Sequence, residues 1–287
     1  MHDIFYFTDI HGCYDLYRAA MNYCLEQDPE CTIIFGGDAI DRGPDVYKIM
    51  KELLAHPQVG YLKGNHEDMF VHAAIEIQKD YHEPFNEGNI DDYLSYNYVS
   101  DRGLMQIKHC VDNGGYQTLK DWMLDGMPDQ IIKDLIHLPV TFSYENIDFC
   151  HAGGNYKDFV EVAEAEYNDK WPDTKSESNL IWDRNYLAQG WETGRICIFG
   201  HTPTPYLAAK YYGKDKSLAN AHPCAYIGEL DDRYIGRKID MDTGAVASGR
   251  LFVLNILTMK AQGFIDLDIG NDEISEHRIK KIEVIKF

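Results

Sequence analysis

The sequence predicts an α/β fold in which two β-sheets pack face to face between helices, a four-layer αββα arrangement with a helical insertion. In the first third of the chain, short apolar runs alternate with amphipathic stretches, which is typical of strands alternating with helices. The last third is rich in short apolar runs separated by polar turns, which is typical of strands. No linker-like segment interrupts the 287 residues, so we expect a single domain over residues 1–287.

Residues 4–79 are predicted to form three strand–helix units. Pro44 marks the start of the second helix, because proline is favoured in the first turn of a helix. Strand–loop–helix units of this length predict a mostly parallel sheet with right-handed crossovers. The predicted strands cover residues 4–8, 32–35 and 59–62, and the predicted helices cover residues 14–25, 44–54 and 67–79.

Two polar stretches interrupt this pattern. Residues 80–112 are rich in tyrosine, and we interpret them as a helical insertion or cap. Residues 155–178 form a second polar stretch, to which no element is assigned. Elsewhere, helices are predicted over residues 115–121 and 128–138, and strands over residues 140–144, 148–151, 196–199, 225–227, 235–241, 251–256, 263–267 and 279–285.

The charge balance limits the class of partner. The chain has 27 lysines and arginines against 47 aspartates and glutamates, a formal net charge of −20. Such a surface repels phosphate backbones and anionic lipids, so we expect neither a nucleic-acid polymer nor a membrane as partner. A phosphorylated substrate stays compatible with this charge, because a bound metal ion reverses the local sign.

Targeting signals and cysteine usage point to the cytoplasm. The N-terminus has no basic region followed by an apolar stretch, and no apolar run approaches the ~18 residues of a membrane span. The seven cysteines are scattered and include no C-x-x-C pair, which favours a reduced environment. We therefore expect a soluble cytoplasmic protein.

Five predicted strands each end in a glycine-flanked loop with candidate metal ligands. Open α/β sheets bind ligands at the carboxyl ends of their strands, so we expect these loops to meet at one rim. Carboxylate, imidazole and amide groups without thiolates suit divalent ions, and we expect manganese before iron, zinc, cobalt or nickel. Six ligands are too many for one catalytic ion, and two ions about 3.5–4 Å apart that share Asp38 account for the surplus. The six candidate ligands are Asp9, His11, Asp38, Asn65, His151 and His201.

Seven of the histidines outside the motifs belong to no cluster, and we interpret them as ordinary surface or core residues. They are His2, His56, His72, His82, His109, His137 and His222.

The segments around these ligands resemble the calcineurin-like metallophosphoesterases, and within them the bacterial and phage members of the phosphoprotein-phosphatase branch. That group includes lambda-type protein phosphatases and diadenosine tetraphosphate hydrolases. The resemblance spans residues 3–257. Its motifs are D-I-H-G at 9–12, G-D-A-I-D-R-G at 37–43, G-N-H-E at 64–67, N-G-G-Y-Q-T-L at 113–119, H-A-G at 151–153, L-I-W-D-R at 180–184, G-H-T-P at 200–203 and D-T-G-A at 242–245.

Two positions depart from the family pattern. Thr8 replaces the glycine that usually precedes the first aspartate, which crowds the turn and leaves the ligands in place. Ala152 replaces a glycine of the eukaryotic H-G-G motif, which favours the bacterial branch.

The resemblance implies how the ligands are shared between two ions. Asp38 bridges the pair. The first ion would be held by Asp9, His11 and Asp38, and the second by Asp38, Asn65, His151 and His201.

The resemblance also implies the catalytic roles. His66 would be the general acid that protonates the leaving oxygen, and Asp41 would orient its ring. Arg42 and Arg184 would hold the oxygens of the substrate phosphate, together with Asn65.

By this resemblance, the expected reaction is hydrolysis of phosphate monoesters, such as phosphoserine and phosphothreonine in proteins, by direct attack of a metal-bound hydroxide. One alternative is a symmetrical dinucleoside polyphosphate (diadenosine tetraphosphate) hydrolase with a nucleotide substrate; another is a non-catalytic binding module on the same fold. Residues 80–112 and 155–178 would select the substrate, and the oligomeric state stays open. Four tyrosines of the insertion either stack on adenine or pack the cap: Tyr81, Tyr93, Tyr96 and Tyr98.

Overall fold

Eleven strands are found in the part of the chain that the computed structural model describes. It describes residues 1–80, 85–168, 175–185, 191–192, 194–207, 221–227 (backbone only for 224–227), 237–266 and 279–287. The strands are β1 (Ile4–Phe7), β2 (Thr32–Phe35), β3 (Val59–Tyr61), β4 (Thr141–Tyr144), β5 (Ile147–Cys150), β6 (Ile196–Phe199), β7 (Cys224–Ile227), β8 (Arg237–Asp240), β9 (Arg250–Asn255), β10 (Lys260–Asp266) and β11 (Ile279–Lys286).

Helices surround these strands, and the described ones lie mainly between β3 and β6. None of the helices in the described ranges is long and apolar enough to cross a membrane. The helices are α1 (Tyr14–Gln27), α2 (Val46–Ala55), α3 (Asn65–Asp80), α4 (Glu87–Leu94), α5 (Tyr96–Asp101), α6 (Met105–Cys110), a π-helical turn (Val111–Gly115), α7 (Tyr116–Leu124), α8 (Asp129–Ile136), α9 (Tyr156–Tyr167), α10 (Lys175–Trp182) and α11 (Ala245–Ser248).

The strands form a six-stranded sheet, in the order β11-β10-β9-β1-β2-β3, and a five-stranded sheet, in the order β4-β5-β6-β8-β7. The parallel pairing predicted for the first three strands is confirmed, although neither sheet as a whole is mostly parallel. β1, β2 and β3 pair in parallel, whereas β9 pairs antiparallel with both β1 and β10, and β10 antiparallel with β11. The reason is that β9 and β10 are joined by a short turn, and a connection of that length can join only antiparallel strands.

The alternation of side chains along β1 shows how the layers are built. Phe5 and Phe7 pack into the core under α1 and α2, while Tyr6 points to the opposite face. There the Tyr6 ring stacks on Phe149 of β5, with centroids 5.5 Å apart. Cys197 of β6 faces a third apolar cluster, which packs under α9 and α10. The order of layers is therefore helices, sheet, sheet, helices, and the predicted αββα sandwich is confirmed.

The two polar stretches are helical where the structure describes them. In the insertion, Tyr93 is buried and packs the cap, with its ring centroid 5.2 Å from that of Tyr98, whereas Tyr96 and Tyr98 are both exposed. The stretch over 155–178 contains α9 and α10, which the sequence analysis left unassigned. One sequence signal for α9 is Asn155, a residue type favoured at helix N-caps, whose side chain caps this helix. Tyr81 and residues 169–174 lie outside the described residues.

A buried lysine gives the fold a predicted pH dependence. The Lys238 side chain is almost fully buried, and its Nζ donates a hydrogen bond to the Gly154 carbonyl oxygen at 2.7 Å, behind the loop that follows β5. Burial lowers the pKa of Lys238 to about 8. Between this pKa and the unfolded value of 10.5, the unfolded chain binds the extra proton, so this lysine adds stability as the pH rises through that window.

We therefore compare Lys238→Met with the wild type by urea denaturation. Between pH 7.5 and 10, the free energy of unfolding of the wild type minus that of the variant should increase by about 2 kcal/mol. Lys260→Met, at an exposed position on β10, serves as the control and should follow the wild type. A difference between wild type and Lys238→Met that stays constant with pH would show that Lys238 keeps an ordinary pKa.

Candidate metal centre

The loops after β1, β2, β3, β5 and β6 meet at one rim, as the strand pattern predicts, and their backbone is unusual. Positive φ angles are uncommon outside glycine and cost roughly 1–3 kcal/mol each, so they persist where the surrounding structure holds them. Of nine non-glycine residues with positive φ in the described ranges, six are candidate site residues. They are Asp9 (54°), His11 (41°), Asp38 (60°), Asp41 (69°), Arg42 (69°) and His201 (71°).

One group of possible metal ligands consists of His11, Asp38 and His66, whose ligand atoms all lie within 4.8 Å of one another. His11 Nδ1 lies 2.7 Å from the Ile40 carbonyl oxygen. A carbonyl only accepts, so Nδ1 carries the hydrogen and Nε2 presents its lone pair to the site. His66 donates from Nδ1 to Asp41 Oδ2 at 2.6 Å, which leaves His66 Nε2 facing the same space. Two imidazole nitrogens and a carboxylate therefore converge on one point.

The second group consists of Asp38, His151 and His201. His151 Nδ1 donates to the Gly36 carbonyl oxygen at 2.8 Å, so its Nε2 points inward and lies 3.3 Å from Asp38 Oδ1. Asn65 Oδ1 lies between the two imidazoles, 3.1 Å from His151 Nε2 and 2.8 Å from His201 Nδ1. Asp38 belongs to both groups, which makes it the shared residue of two adjoining sites.

Burial and mutual charge shift the pKa values of this cluster. Burial favours the neutral form of Asp38, but the imidazoles of His151, His66 and His11 outweigh it and hold the pKa of Asp38 well below its usual range. Burial also lowers the pKa of His151, yet Asp38 and Asp9 together raise it to about 10. Burial raises the pKa of Asp9 to about 7. The cluster thus requires positive charge, which in the ion-free protein is a proton on His151.

The residues present fit divalent ions. Acceptor atoms of carboxylate, imidazole and amide groups converge in two adjoining groups. The outer ring nitrogens are anchored on backbone carbonyls, except that of His66, which is held by the Asp41 carboxylate. Anchoring of this kind fixes the tautomer and aims the lone pair, as in metal-binding histidines generally. A divalent ion at each group would satisfy the inward-facing acceptors and replace the proton on His151.

Asp9, Arg42 and Arg184 make contacts within the protein that the motifs do not indicate. Asp9 is in neither group: its carboxylate accepts hydrogen bonds from the Thr8 hydroxyl at 2.7 Å and from the His201 backbone N–H at 3.0 Å. Arg42 donates to both imidazoles of the first group, from Nη1 to His11 Nε2 and from Nη2 to His66 Nε2, each at 2.8 Å. The guanidinium thus supplies positive charge where the first ion would bind.

The third, Arg184, follows α10 and contacts the loop after β6, which carries His201. Its Nε donates to the Thr202 hydroxyl at 2.9 Å, and its Nη2 lies 3.4 Å from the His201 carbonyl oxygen. Both arginines therefore contact candidate ligand residues, or loops that carry them, in the folded protein.

Two supporting residues were given no role by sequence reasoning. Glu67 is fully buried, and its carboxylate accepts from the backbone N–H groups of Asp38, Ala39 and Gly64, each at 2.9 Å. It therefore joins the loops after β2 and β3. The sequence signal for Glu67 was its position in the G-N-H-E motif. The glycine of that motif, Gly64, has no room for a side chain, because a Cβ there would lie 2.2 Å from Asp38 Oδ1.

The other supporting residue is Thr118, on α7. Its hydroxyl donates to Asp41 Oδ1 at 2.6 Å, while Asp41 Oδ2 accepts from His66. The chain His66–Asp41–Thr118 thus fixes the plane of the His66 ring. Thr118 is 77 residues from Asp41, so only folding reveals the contact.

Comparisons with known proteins agree with this centre. Residues 2–218 match the family model described as calcineurin-like phosphoesterase. Over 94 residues, the chain is 32% identical to a symmetrical bis(5'-nucleosyl)-tetraphosphatase of Buchnera aphidicola subsp. Acyrthosiphon pisum (strain 5A), an alignment that covers 32% of each chain. Over 70 residues, it is 33% identical to serine/threonine-protein phosphatase 1 of Salmonella typhimurium, covering 24% of this chain and 32% of that protein.

The chain thus aligns with about a third of the length of these curated relatives. Among solved structures, a cold-active protein-tyrosine phosphatase of a psychrophilic Shewanella species superposes with a TM-score of 0.46 and 14% identity, covering 99% of this chain and 81% of the other. The family match covers most of the sequence, including every candidate ligand. The chain therefore belongs to the calcineurin-like phosphoesterases.

Proposed function

We propose that this protein hydrolyses phosphate esters at a centre of two divalent ions, manganese in the first instance. The observation that carries the proposal is the pair of adjoining ligand groups that share Asp38, the first of which contains His66, whose ring is held by Asp41. When bound, the two ions would lower the pKa of water and neutralise charge on the phosphate. Asp9, His11, Asp38, Asn65, His151 and His201 would hold them.

His66 supplies the proton for the leaving oxygen. Its Nδ1 is held by Asp41, so proton transfer takes place at Nε2. In the structure this nitrogen accepts from Arg42, which means that Arg42 must turn away before His66 can act as an acid. A substrate phosphate provides the reason for that movement, since its oxygens accept charge-assisted hydrogen bonds from the same guanidinium.

Arg42 and Arg184 hold the phosphate oxygens. Guanidinium groups stay charged and present several N–H donors in one plane, which matches the geometry of a phosphate. In-line displacement at phosphorus spreads negative charge over the equatorial oxygens, and fixed donors beside those oxygens stabilise the transition state. Asn65 lies between the two imidazoles of the second group, and its side chain would also contact the phosphate oxygens.

Two substrate classes are candidates. The first is a phosphate monoester, such as phosphoserine or phosphothreonine in a protein or a small molecule, in keeping with the Salmonella relative. The second is a symmetrical dinucleoside tetraphosphate, and the longer alignment with the Buchnera enzyme favours it: 94 residues against 70. Both need the same centre, because in each reaction water attacks phosphorus and a P–O bond breaks: the ester bond of the monoester, or the central anhydride bond of the tetraphosphate, which releases two molecules of ADP.

Product analysis tests the proposal. With Mn²⁺ present, we expect release of inorganic phosphate from a phosphoserine peptide or of ADP from diadenosine tetraphosphate, and loss of both activities when EDTA removes the ions. A metal-dependent reaction with either substrate supports the proposal and identifies the class. No hydrolysis of either substrate with manganese, iron, zinc, cobalt or nickel would refute it.

A further inference from the structure

Two aromatic rings that provide no metal ligand lie against each other at the edge of the centre. His109 on α6 stacks on Trp182 at the end of α10, with ring centroids 5.7 Å apart and planes inclined by 29°. His109 is exposed and Trp182 is half-buried. The pair connects the insertion to α10 and leaves aromatic surface open to solvent.

Trp182 is fixed beside the second ligand group. Its carbonyl oxygen lies 3.1 Å from His201 Nε2, which donates to it, and Arg184 follows two residues later. The helix that carries Trp182 is anchored in turn, because the Leu180 carbonyl accepts from the backbone N–H of Ala152, next to His151. The position of this ring is therefore set by the same loops that carry the ligands.

His109 is fixed beside the first ligand group. Asn113 Nδ2 donates to the His109 carbonyl oxygen at 2.8 Å. The next residue, Gly114, accepts a hydrogen bond from the backbone N–H of Arg42 at 3.0 Å. The segment that carries His109 thus contacts the backbone of Arg42, and the segment that carries Trp182 also carries Arg184.

We propose that His109 and Trp182 form a subsite for the nucleobase of a nucleoside phosphate whose phosphates are held by Arg42 and Arg184. A purine is flat and stacks on aromatic side chains. Its phosphates need cationic groups, and Arg184 follows Trp182 by two residues while the backbone of Arg42 contacts Gly114 of the segment that carries His109. The inference rests on the phosphoester hydrolysis proposed above, and between the two candidate substrates it selects the dinucleotide. The sequence analysis interpreted His109 as an ordinary surface or core residue, because it belongs to no motif.

Equilibrium binding tests the subsite without turnover. We compare ADP with inorganic pyrophosphate, which lacks the base, by calorimetry in the presence of Mn²⁺. In the wild type ADP should bind about tenfold more tightly or better, since stacking of one base on an aromatic ring contributes roughly 1–3 kcal/mol. His109→Ala should remove most of this preference, and His109→Phe, which keeps a ring, should retain it. Met105→Ala removes an exposed side chain of α6 and should match the wild type.

Kinetics provide the second measurement. The ratio of kcat/KM for diadenosine tetraphosphate to kcat/KM for phosphoserine should fall about tenfold in His109→Ala, through KM, and recover in His109→Phe. An ADP preference that is the same in wild type and His109→Ala overturns the subsite, as does an equal loss for ADP and pyrophosphate, which would mean that the pair only holds the fold. If neither substrate is hydrolysed, the proposed function fails, while the binding comparison still decides the subsite.

Discussion

Replacing Asp38 with asparagine is expected to abolish metal binding and hydrolysis together. Asp38 is the one residue that belongs to both ligand groups, and its pKa is held well below the usual range, so it is fully ionised at neutral pH. The substitution removes the negative charge that both ions would share. We expect a loss of activity of about 10⁴-fold or more, because the two ions together supply several kcal/mol of transition-state stabilisation.

Metal content measured by atomic emission after dialysis against Mn²⁺ tests the binding half of this expectation. The wild type should retain close to two ions per chain and Asp38→Asn fewer than one. Asp92→Asn makes the same chemical change at an exposed position of the insertion and should retain both ions and activity. Two ions bound to Asp38→Asn would contradict a shared ligand at this position.

Among variants that keep both ions bound, His66→Asn is expected to lose the most activity. The general-acid role predicts that kcat falls about 10²–10⁴-fold, because proton donation to a leaving group contributes that much. The loss should be smallest for substrates with acidic leaving groups, such as p-nitrophenol, which depart without a proton. The measurement is the dependence of kcat/KM on leaving-group pKa, which should be much steeper in the variant.

His66 also lies in the first ligand group, so its variant separates two roles. If His66→Asn loses one ion, His66 is a ligand and the acid must be another residue. Asp41→Asn provides the matched comparison, since it leaves the imidazole in place but removes the carboxylate that accepts from Nδ1. We expect an intermediate loss of kcat with both ions bound. Unchanged turnover in His66→Asn would remove this residue from catalysis.

The fold could be predicted from local patterns wherever burial dictates them. β1, β2 and β6 are short apolar runs because each is buried on both faces, and their bounds were predicted to within one residue. Helix α3 begins at Asn65, two residues before the predicted start, because its first turn carries polar ligands that do not look helical. The parallel direction of β1 to β3 was predicted correctly, but the antiparallel addition of β9 to β1 was not, since it depends on pairing between segments about 250 residues apart.

The candidate centre was accessible from sequence to the extent that its chemistry is local. Ligand types follow strands and stand next to glycines, so the motifs identify His11, Asp38, Asn65 and the later histidines as one set. The motifs do not indicate which groups the Asp9 carboxylate contacts. In the structure it accepts hydrogen bonds from the Thr8 hydroxyl and from the backbone N–H of His201.

By itself, then, the sequence predicted candidate residues for the centre and determined the layering of the sandwich and the net charge of the chain, because these depend on residue type and short-range spacing. The tertiary structure decided which donors face each other: Thr118 behind Asp41, Arg42 between two imidazoles, and His109 on Trp182. These contacts join segments 24 to 77 residues apart in the chain, and only packing of the insertion and both sheets brings them within hydrogen-bonding or stacking distance.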